Sequence, residues 1–556
     1  MDRLFTYLLS LLPILSLLSA QTIETDYDRY LLFHWKGALT SHSIQLKVFP
    51  QPALLAVNYQ TAVVLFQKPI SSDNIKEVIT FTFTNAEYPV QAVEFSDLWY
   101  NTEYSYFFVF GSSISLTKSD FVNLYRSKKI QEFHFKTFGI ALKPYSFTFG
   151  AASCASSGSE TETFLQMHDE NMAFFIHMGD LHYDDITKDD DRLYYEAYYK
   201  VFRSKTQKKF FENTPIFYIW DDHDFGPNDS NGKSPGKPAA HRTYHRFVPY
   251  GTLKNFLPGH DGGRFPSAIT PNISPGFYQT FTATDNDYGI FQSFLVGRCL
   301  FIIADLRSFK DEYEGDILSN FQKAWVQNQL RFVDLNKNDV AAVFFVSTVT
   351  WIGDTWGDYP STQREVTSWI KQYVKENGIE MFVIAGDAHM IAFDDGSNND
   401  HGGFPVIQSA SIARCFSCKG GPYSHGTWPG GDQYGVVTVE DNGTKVCLKI
   451  KLKRKGKVMI EYDTCNPQAY PRHEMSCMDA YIKMFQPSIV IASVFGGALI
   501  VILLLHVKNI VDISFRSILT RAYKLKGLDD LEIAQRIKYD KEERQALKKR
   551  KKLSGL

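Results

Sequence analysis

The chain has 556 residues, 44% hydrophobic and 22% charged, which supplies ample core and excludes a disordered protein. Fourteen Lys/Arg and seven Asp/Glu lie from Lys508 onward, so a chain of net charge −2 carries −9 on its remainder. An acidic main body lacks the phosphate-neutralising surface that nucleic acid requires, which argues against a DNA- or RNA-binding function.

Residues 1–20 open with Asp2-Arg3, run apolar from Leu4 to Leu18 and end in Ser19-Ala20. That pattern predicts a secretory signal peptide cleaved near Ala20, with an uncleaved anchor as the alternative. Residues 21–140 carry short aromatic and β-branched runs, among them Ser43 to Phe49, Ala62 to Phe66, Gln91 to Phe95 and Tyr104 to Phe110. Polar turns separate them and no helical period is sustained, which predicts an all-β, fibronectin III/Ig-like sandwich. Leu98 followed by Tyr104 resembles the corner of such sandwiches, where a Leu enters the core and a Tyr hydroxyl ties down the loop.

From Tyr145 to about 470 the pattern alternates. Apolar strands at Ser146 to Ala151, Phe174 to Met178, Ile216 to Trp220, Leu300 to Ala304, Ala341 to Ser347 and Met381 to Ala385 interleave with helical stretches such as Arg192 to Arg203 and Ser319 to Asp334. This is an α/β layout. Four strands run into polar clusters: Ser153-Cys154; Gly179-Asp180 with Tyr183; Asp221-Asp222-His223-Asp224 with Asn228; and Gly386-Asp387 with His389. Strand ends are where α/β proteins build sites. Carboxylates, imidazoles, a thiol and a phenol converging there make a metal site by ligand chemistry, and two such sets suit two ions sharing one Asp. Each motif alone is weak; their joint occurrence, in order, is strong. His177 and His182 read as ordinary packing residues.

All seven cysteines, at 154, 299, 415, 418, 447, 465 and 477, precede the second apolar segment. A Cys465–Cys477 bridge and a local Cys415–Cys418 bridge are expected, with Cys299 as an inert core thiol and Cys154 as an exposed working thiolate. Sequons stand at Asn228, Asn272 and Asn442. Residues 489–507 are apolar apart from one His, and Lys508 and further basic residues follow at once. The segment predicts a single transmembrane helix in contact with lipid, with the basic tail 508–556 in the cytosol. The expected protein is thus type I, single-pass and glycosylated, with its body outside the cell or in a secretory or vacuolar lumen.

The four clusters resemble the alkaline phosphatase D-like (PhoD-like) branch of the calcineurin-like metallophosphoesterases. Ala304-Asp305-Leu-Arg307-Ser and Asp354-Thr-Trp-Gly-Asp358-Tyr-Pro extend the likeness, and Ser153-Cys154 replaces the superfamily's usual Asp-x-His opening, as in this branch. The resemblance implies an α/β/β/α metallophosphoesterase sandwich behind the leading β-sandwich. It implies a ferric ion on Cys154, Asp180, Tyr183 and His389, and a calcium site on Asp180, Asp222 and Asp387. Asp222 stands where relatives often have Asn, which puts calcium in question. Asp354 and Asp358 are candidates for a further calcium, and Asn228 and Arg307 for substrate contact, with a salt bridge as Arg307's alternative. The implied activity is hydrolysis of small phosphate mono- or diesters by metal-activated water, with His223 as proton donor to the leaving group and no obligate protein partner. A receptor or adhesion protein on a non-catalytic scaffold is the competing reading.

Overall fold

The computed structural model describes residues 23–84, 87–250, 289–414 and 417–483. The chain divides into two units, Met1–Ala480 and Tyr481–Leu556. The described residues of the first form three sheets. A nine-stranded sheet runs, edge to edge, Lys457–Asp463, Val446–Arg454, Gln433–Asp441, Phe147–Ala152, Phe174–Met178, Ile216–Ile219, Leu31–Gly37, Ile44–Pro50, Gln91–Phe95. A seven-stranded sheet runs Gln292–Val296, Cys299–Ile303, Ala342–Ser347, Glu380–Ala385, Val406–Ser409, Met390–Asp394, Thr427–Pro429.

The centres of both sheets are parallel. Strands buried on both faces read as unbroken apolar runs, which is what Phe174–Met178 and Ala342–Ser347 show. Side chains alternate across the sheet. Phe174 meets Phe301 of the other sheet at 5.4 Å, whereas the adjacent Phe175 meets Phe210 at 5.1 Å, on the helix Lys205–Asn213. Phe149 meets Phe301 at 5.2 Å and Phe344 at 5.4 Å, so phenylalanines fill the space between the sheets. The helices Asn320–Leu335 and Pro360–Tyr373 bury Val326, Leu330, Val366 and Ile370 in the core on the far face of the seven-stranded sheet. The layers are therefore α/β/β/α.

The third sheet has five strands: Ile23–Glu24, Glu103–Gly111, Gln60–Phe66 and Ile75–Thr82 in order, with Phe133–Lys136 against Glu103–Gly111. Its partner layer is not a separate sheet. Leu31–Gly37, Ile44–Pro50 and Gln91–Phe95 complete the sandwich and belong to the nine-stranded sheet, with Gly37 in parallel register with Ile216. The sheet thus crosses the 140–145 boundary that strand spacing suggested. The corner is present: Leu98 is buried, and the Tyr104 hydroxyl accepts a hydrogen bond from the Trp99 backbone N–H at 2.8 Å.

The helix Lys118–Ser127 lies in a segment expected to be all β. Thr117 and Asp120 form a capping box, and the helix buries only Phe121 and Val122, too few to show a period in the sequence.

The expected disulfides are corrected. Cys418 pairs with Cys477 and Cys447 with Cys465; Cys415 lies outside the described residues. Strand register decides this. Lys449 opposes Asp463 and the Thr464 N–H bonds to the Leu448 carbonyl, which brings Cys465 to Cys447. The Tyr423–Met475 bridge brings Cys477 to Cys418. Cys299 is a buried free thiol, as expected; Cys154, expected to be exposed, is a buried free thiol as well, because the strand-end loops close over it.

The single-pass type I topology is also corrected: among the described residues, no helix is long and apolar enough to cross a membrane. Residues 1–20, 489–507 and 508–556, on which that expectation rested, lie outside the described residues, as does Asn272. Asn228 and Asn442 are exposed.

Candidate metal centre

Four strands of the two sheets deliver the site. Phe147–Ala152 and Phe174–Met178, side by side, lead into Cys154 and Asp180; Ile216–Ile219 leads into Asp222 and His223; Glu380–Ala385 of the facing sheet leads into Asp387 and His389. Gly179 has φ +86°, and a Cβ there would fall 2.4 Å from the Asp221 backbone nitrogen. Only glycine lets these two strand ends approach so closely.

Cys154, Asp180, Asp387 and His389 all have left-handed backbones, with φ of 62°, 55°, 63° and 47°. Non-glycine residues adopt that region at a cost of about 1–3 kcal/mol each, so such clusters mark sites whose surroundings enforce the geometry.

Two groups of donors converge. One offers Cys154 Sγ, an Asp180 carboxylate oxygen and a His389 ring nitrogen; the other offers Asp180, Asp222 and His223; within each group the donor atoms lie within 4.8 Å of one another. Asp180 belongs to both. The Tyr183 hydroxyl donates to Asp180 Oδ2 at 2.6 Å and lies 3.4 Å from His389 Nε2, which adds the phenol to the first group.

Burial pushes the Cys154 thiol and the Tyr183 phenol up and raises Asp180 to about 8, with neighbouring carboxylates adding to all three shifts. Buried acids crowded in this way call for a cation. Burial also acts upward on Asp222, but Arg307 and His223 outweigh it and hold the carboxyl below its usual range. Asp222 Oδ2 accepts from the Asp229 N–H at 2.6 Å, while Oδ1 is buried with no hydrogen-bond partner. Arg307 Nη2 faces that oxygen at 3.6 Å, so the fit to a metal pair rests on the soft–hard mixture of donors.

The remaining candidates fall as follows. Burial works downward on His223, but the hydrogen bond to Asp185 at 2.5 Å and the charges of Asp180 and Asp222 carry it up to about 10. Arg307 is buried and takes the salt-bridge alternative, to Asp221 at 2.5 Å, with Asp222 at 3.6 Å. Asn228 is exposed and donates to Asp229 at 2.7 Å, one residue from the Asp222 contact. Asp354 accepts from the Thr350 and Thr355 hydroxyls, and neither it nor Asp358 belongs to either donor group. Asp387 ion-pairs with Lys419 at 2.8 Å, and the Asp387 N–H bonds to Ser153 Oγ. His177 and His182 are buried with both ring nitrogens unpartnered, and burial lowers them to about 3 and about 4, consistent with neutral packing residues.

The roles of two residues escaped the sequence reading. Asp224 accepts from the backbone N–H groups of Asp180 at 2.5 Å, His182 at 3.0 Å and Asp221 at 3.0 Å, and so pins the Gly-Asp loop to the Asp-Asp-His-Asp turn. Lys419 carries a cation into the site from a loop with no motif of its own.

No family model matches the sequence, and no curated protein matches it. Among solved structures, one titled "Structure of PhoD" aligns over 80% of this chain and 92% of its own, with a TM-score of 0.56 and 15% identity. A purple acid phosphatase, PPD1, from yellow lupin (Lupinus luteus) seeds aligns over 77% and 73%, with a TM-score of 0.42 and 12% identity. On the first of these alignments, the chain has a PhoD-like fold.

Proposed function

We propose that the chain is a metal-dependent phosphoesterase. The observation that carries this reading is Asp180's place in both donor groups, the arrangement two neighbouring ions need. Cys154, Asp180, Tyr183 and His389 would hold one ion, and their anionic sulfur and oxygen donors suit ferric iron. Asp180, Asp222 and Asp387 would hold the other, where oxygen donors suit a hard ion such as calcium. A metal pair there would supply Lewis acidity to a phosphoryl oxygen and ionise a water near neutral pH.

The chain's own residues do the rest. Asp224 fixes the Asp180 backbone, and the Gly179 turn brings Asp180 towards Asp222. Asp185 orients the His223 ring through Nδ1 and leaves Nε2 to carry a proton to a leaving oxygen. Mono- and diesters are both admitted by this reading.

The test is an assay of the purified protein on p-nitrophenyl phosphate and bis(p-nitrophenyl) phosphate, together with metal analysis. Hydrolysis of at least one ester is expected, with two ions per chain. Asp180→Ala should lose both ions and at least about 10³-fold in kcat/KM, since the shared ligand is gone. Full turnover in that variant would overturn the reading.

A further inference from the structure

The loop after Val406–Ser409 brings one cation beside the first donor group and another to Asp387, which belongs to neither group. The Arg414 guanidinium lies 3.9 Å from the centre of the Tyr183 ring, and Lys419 Nζ lies 2.8 Å from Asp387 Oδ2. Both side chains are half-buried. They reach different donor residues, one beside the Cys154–Asp180–His389 group and the other on Asp387.

The described residues on either side of 415–416 are held in place. Cys418, next to Lys419, is disulfide-bonded to Cys477, and the Gly421 N–H bonds to the Ile352 carbonyl at 3.1 Å. Gly420 has φ +67°, and a Cβ there would fall 2.0 Å from the same Ile352 oxygen. The backbone beside Lys419 is therefore packed too tightly to drift. Ser411 Oγ accepts from the Arg414 N–H at 2.7 Å, which fixes the other end. Fixed cations cost little reorganisation when an anion arrives, so they are worth more than mobile surface ones.

An ammonium has three donors and Asp387 accepts one of them; a guanidinium has five in a planar fork suited to phosphate. A phosphate monoester carries about two negative charges at pH 7, because its second pKa is about 6. A diester carries one. Cations additional to those the metal pair provides favour the more charged group.

We propose that Arg414 and Lys419 form a phosphate clamp that selects dianionic phosphate groups, making phosphomonoesters the substrate class of this site. The inference rests on the phosphoesterase reading, and its test separates the two. Binding of inorganic phosphate to the metal-loaded full chain is measured by calorimetry, and both nitrophenyl esters are assayed. Wild type is expected to bind phosphate and to prefer the monoester in kcat/KM by at least about tenfold. Lys419→Met and Arg414→Met should each weaken phosphate binding and raise KM for the monoester by about tenfold, change KM for the diester by less than about threefold, and keep both ions. Lys419→Arg, which keeps the charge, should restore most of the loss and excludes misfolding as its cause. Wild type that prefers the diester, or variants that bind phosphate as wild type does or lose both esters equally, overturns the clamp and leaves the phosphoesterase reading intact. Wild type that binds phosphate but cleaves neither ester overturns the phosphoesterase reading and, with it, the substrate class.

Discussion

His223 has two chemistries open to it, and its neighbours define both. Its ring shares a donor group with Asp180 and Asp222, and its Nδ1 is held by Asp185 at 2.5 Å. A proton donor matters most when the leaving group is a poor one. His223→Ala is therefore expected to slow an alkyl phosphate by about 10²-fold or more and a nitrophenyl phosphate by less than about tenfold. Equal slowing of the two, with loss of an ion, would make His223 a ligand instead. At this scale the sequence was informative because ligand chemistry restricts residue type: Cys154, Asp180, Asp222 and His389 each stand in a short motif. The roles of Asp224 and Lys419 were not legible. Asp224 acts through three backbone N–H groups, which leave no signature in the partner residues' identity. Lys419 is placed by Gly420 packing against Ile352 and by a disulfide to Cys477, contacts between distant parts of the chain.

Among the elements, the parallel strands were the most legible, since burial on both faces leaves continuous apolar runs; Phe174–Met178 falls where the sequence placed it. Leu31–Gly37 was missed although it is almost wholly buried, because Lys36 and His34 interrupt its apolar run. Register was not legible at all, and so the cysteine pairs were misassigned. The corner at Leu98–Tyr104 offers an element-level test that leaves the site untouched. Tyr104→Phe keeps the ring and removes the oxygen that accepts from the Trp99 N–H. Chemical unfolding is expected to show a loss of about 1 kcal/mol, with metal content and turnover unchanged. A loss below the error of the measurement would mean that the hydroxyl does not tie the loop.

Across the whole molecule, the contact between the five-stranded sheet and the nine-stranded sheet hides a polar network that the sequence did not announce. Tyr27 donates to Glu212 at 2.5 Å, and His34 bonds Tyr27 at 2.6 Å and Tyr106 at 2.8 Å. Lys36 is buried in the same layer and bonds the His134 carbonyl. Burial raises Glu212 to about 8, against the pull of Lys208 and Tyr27 and with a push from Asp28, and lowers Lys36 to about 7. The folded state therefore holds the Glu212 proton longer than the unfolded chain does, and stability falls as pH rises from about 4.5 to about 8. Lys36 gives up its proton early, and stability rises with pH between about 7 and about 10.5. Glu212→Gln should thus raise the melting temperature above pH 8 and gain little near pH 5. Lys36→Met should raise it at pH 6, with the gain fading towards pH 10. Melting curves across that range decide it; gains independent of pH would show that neither group titrates on unfolding.

The nine-stranded sheet also sets an order of events during synthesis. Leu31–Gly37 leaves the ribosome early, but its parallel neighbour Ile216–Ile219 comes more than 170 residues later. Phe147–Ala152 waits longer still for its antiparallel neighbour Gln433–Asp441. The strand ends that carry Cys154, Asp180 and Asp222 therefore cannot be fixed until nearly the whole of the first unit has emerged. A nascent chain halted anywhere before about residue 440 would present unpaired strand edges and donors not yet fixed in place, the condition in which chaperones are engaged and strays aggregate.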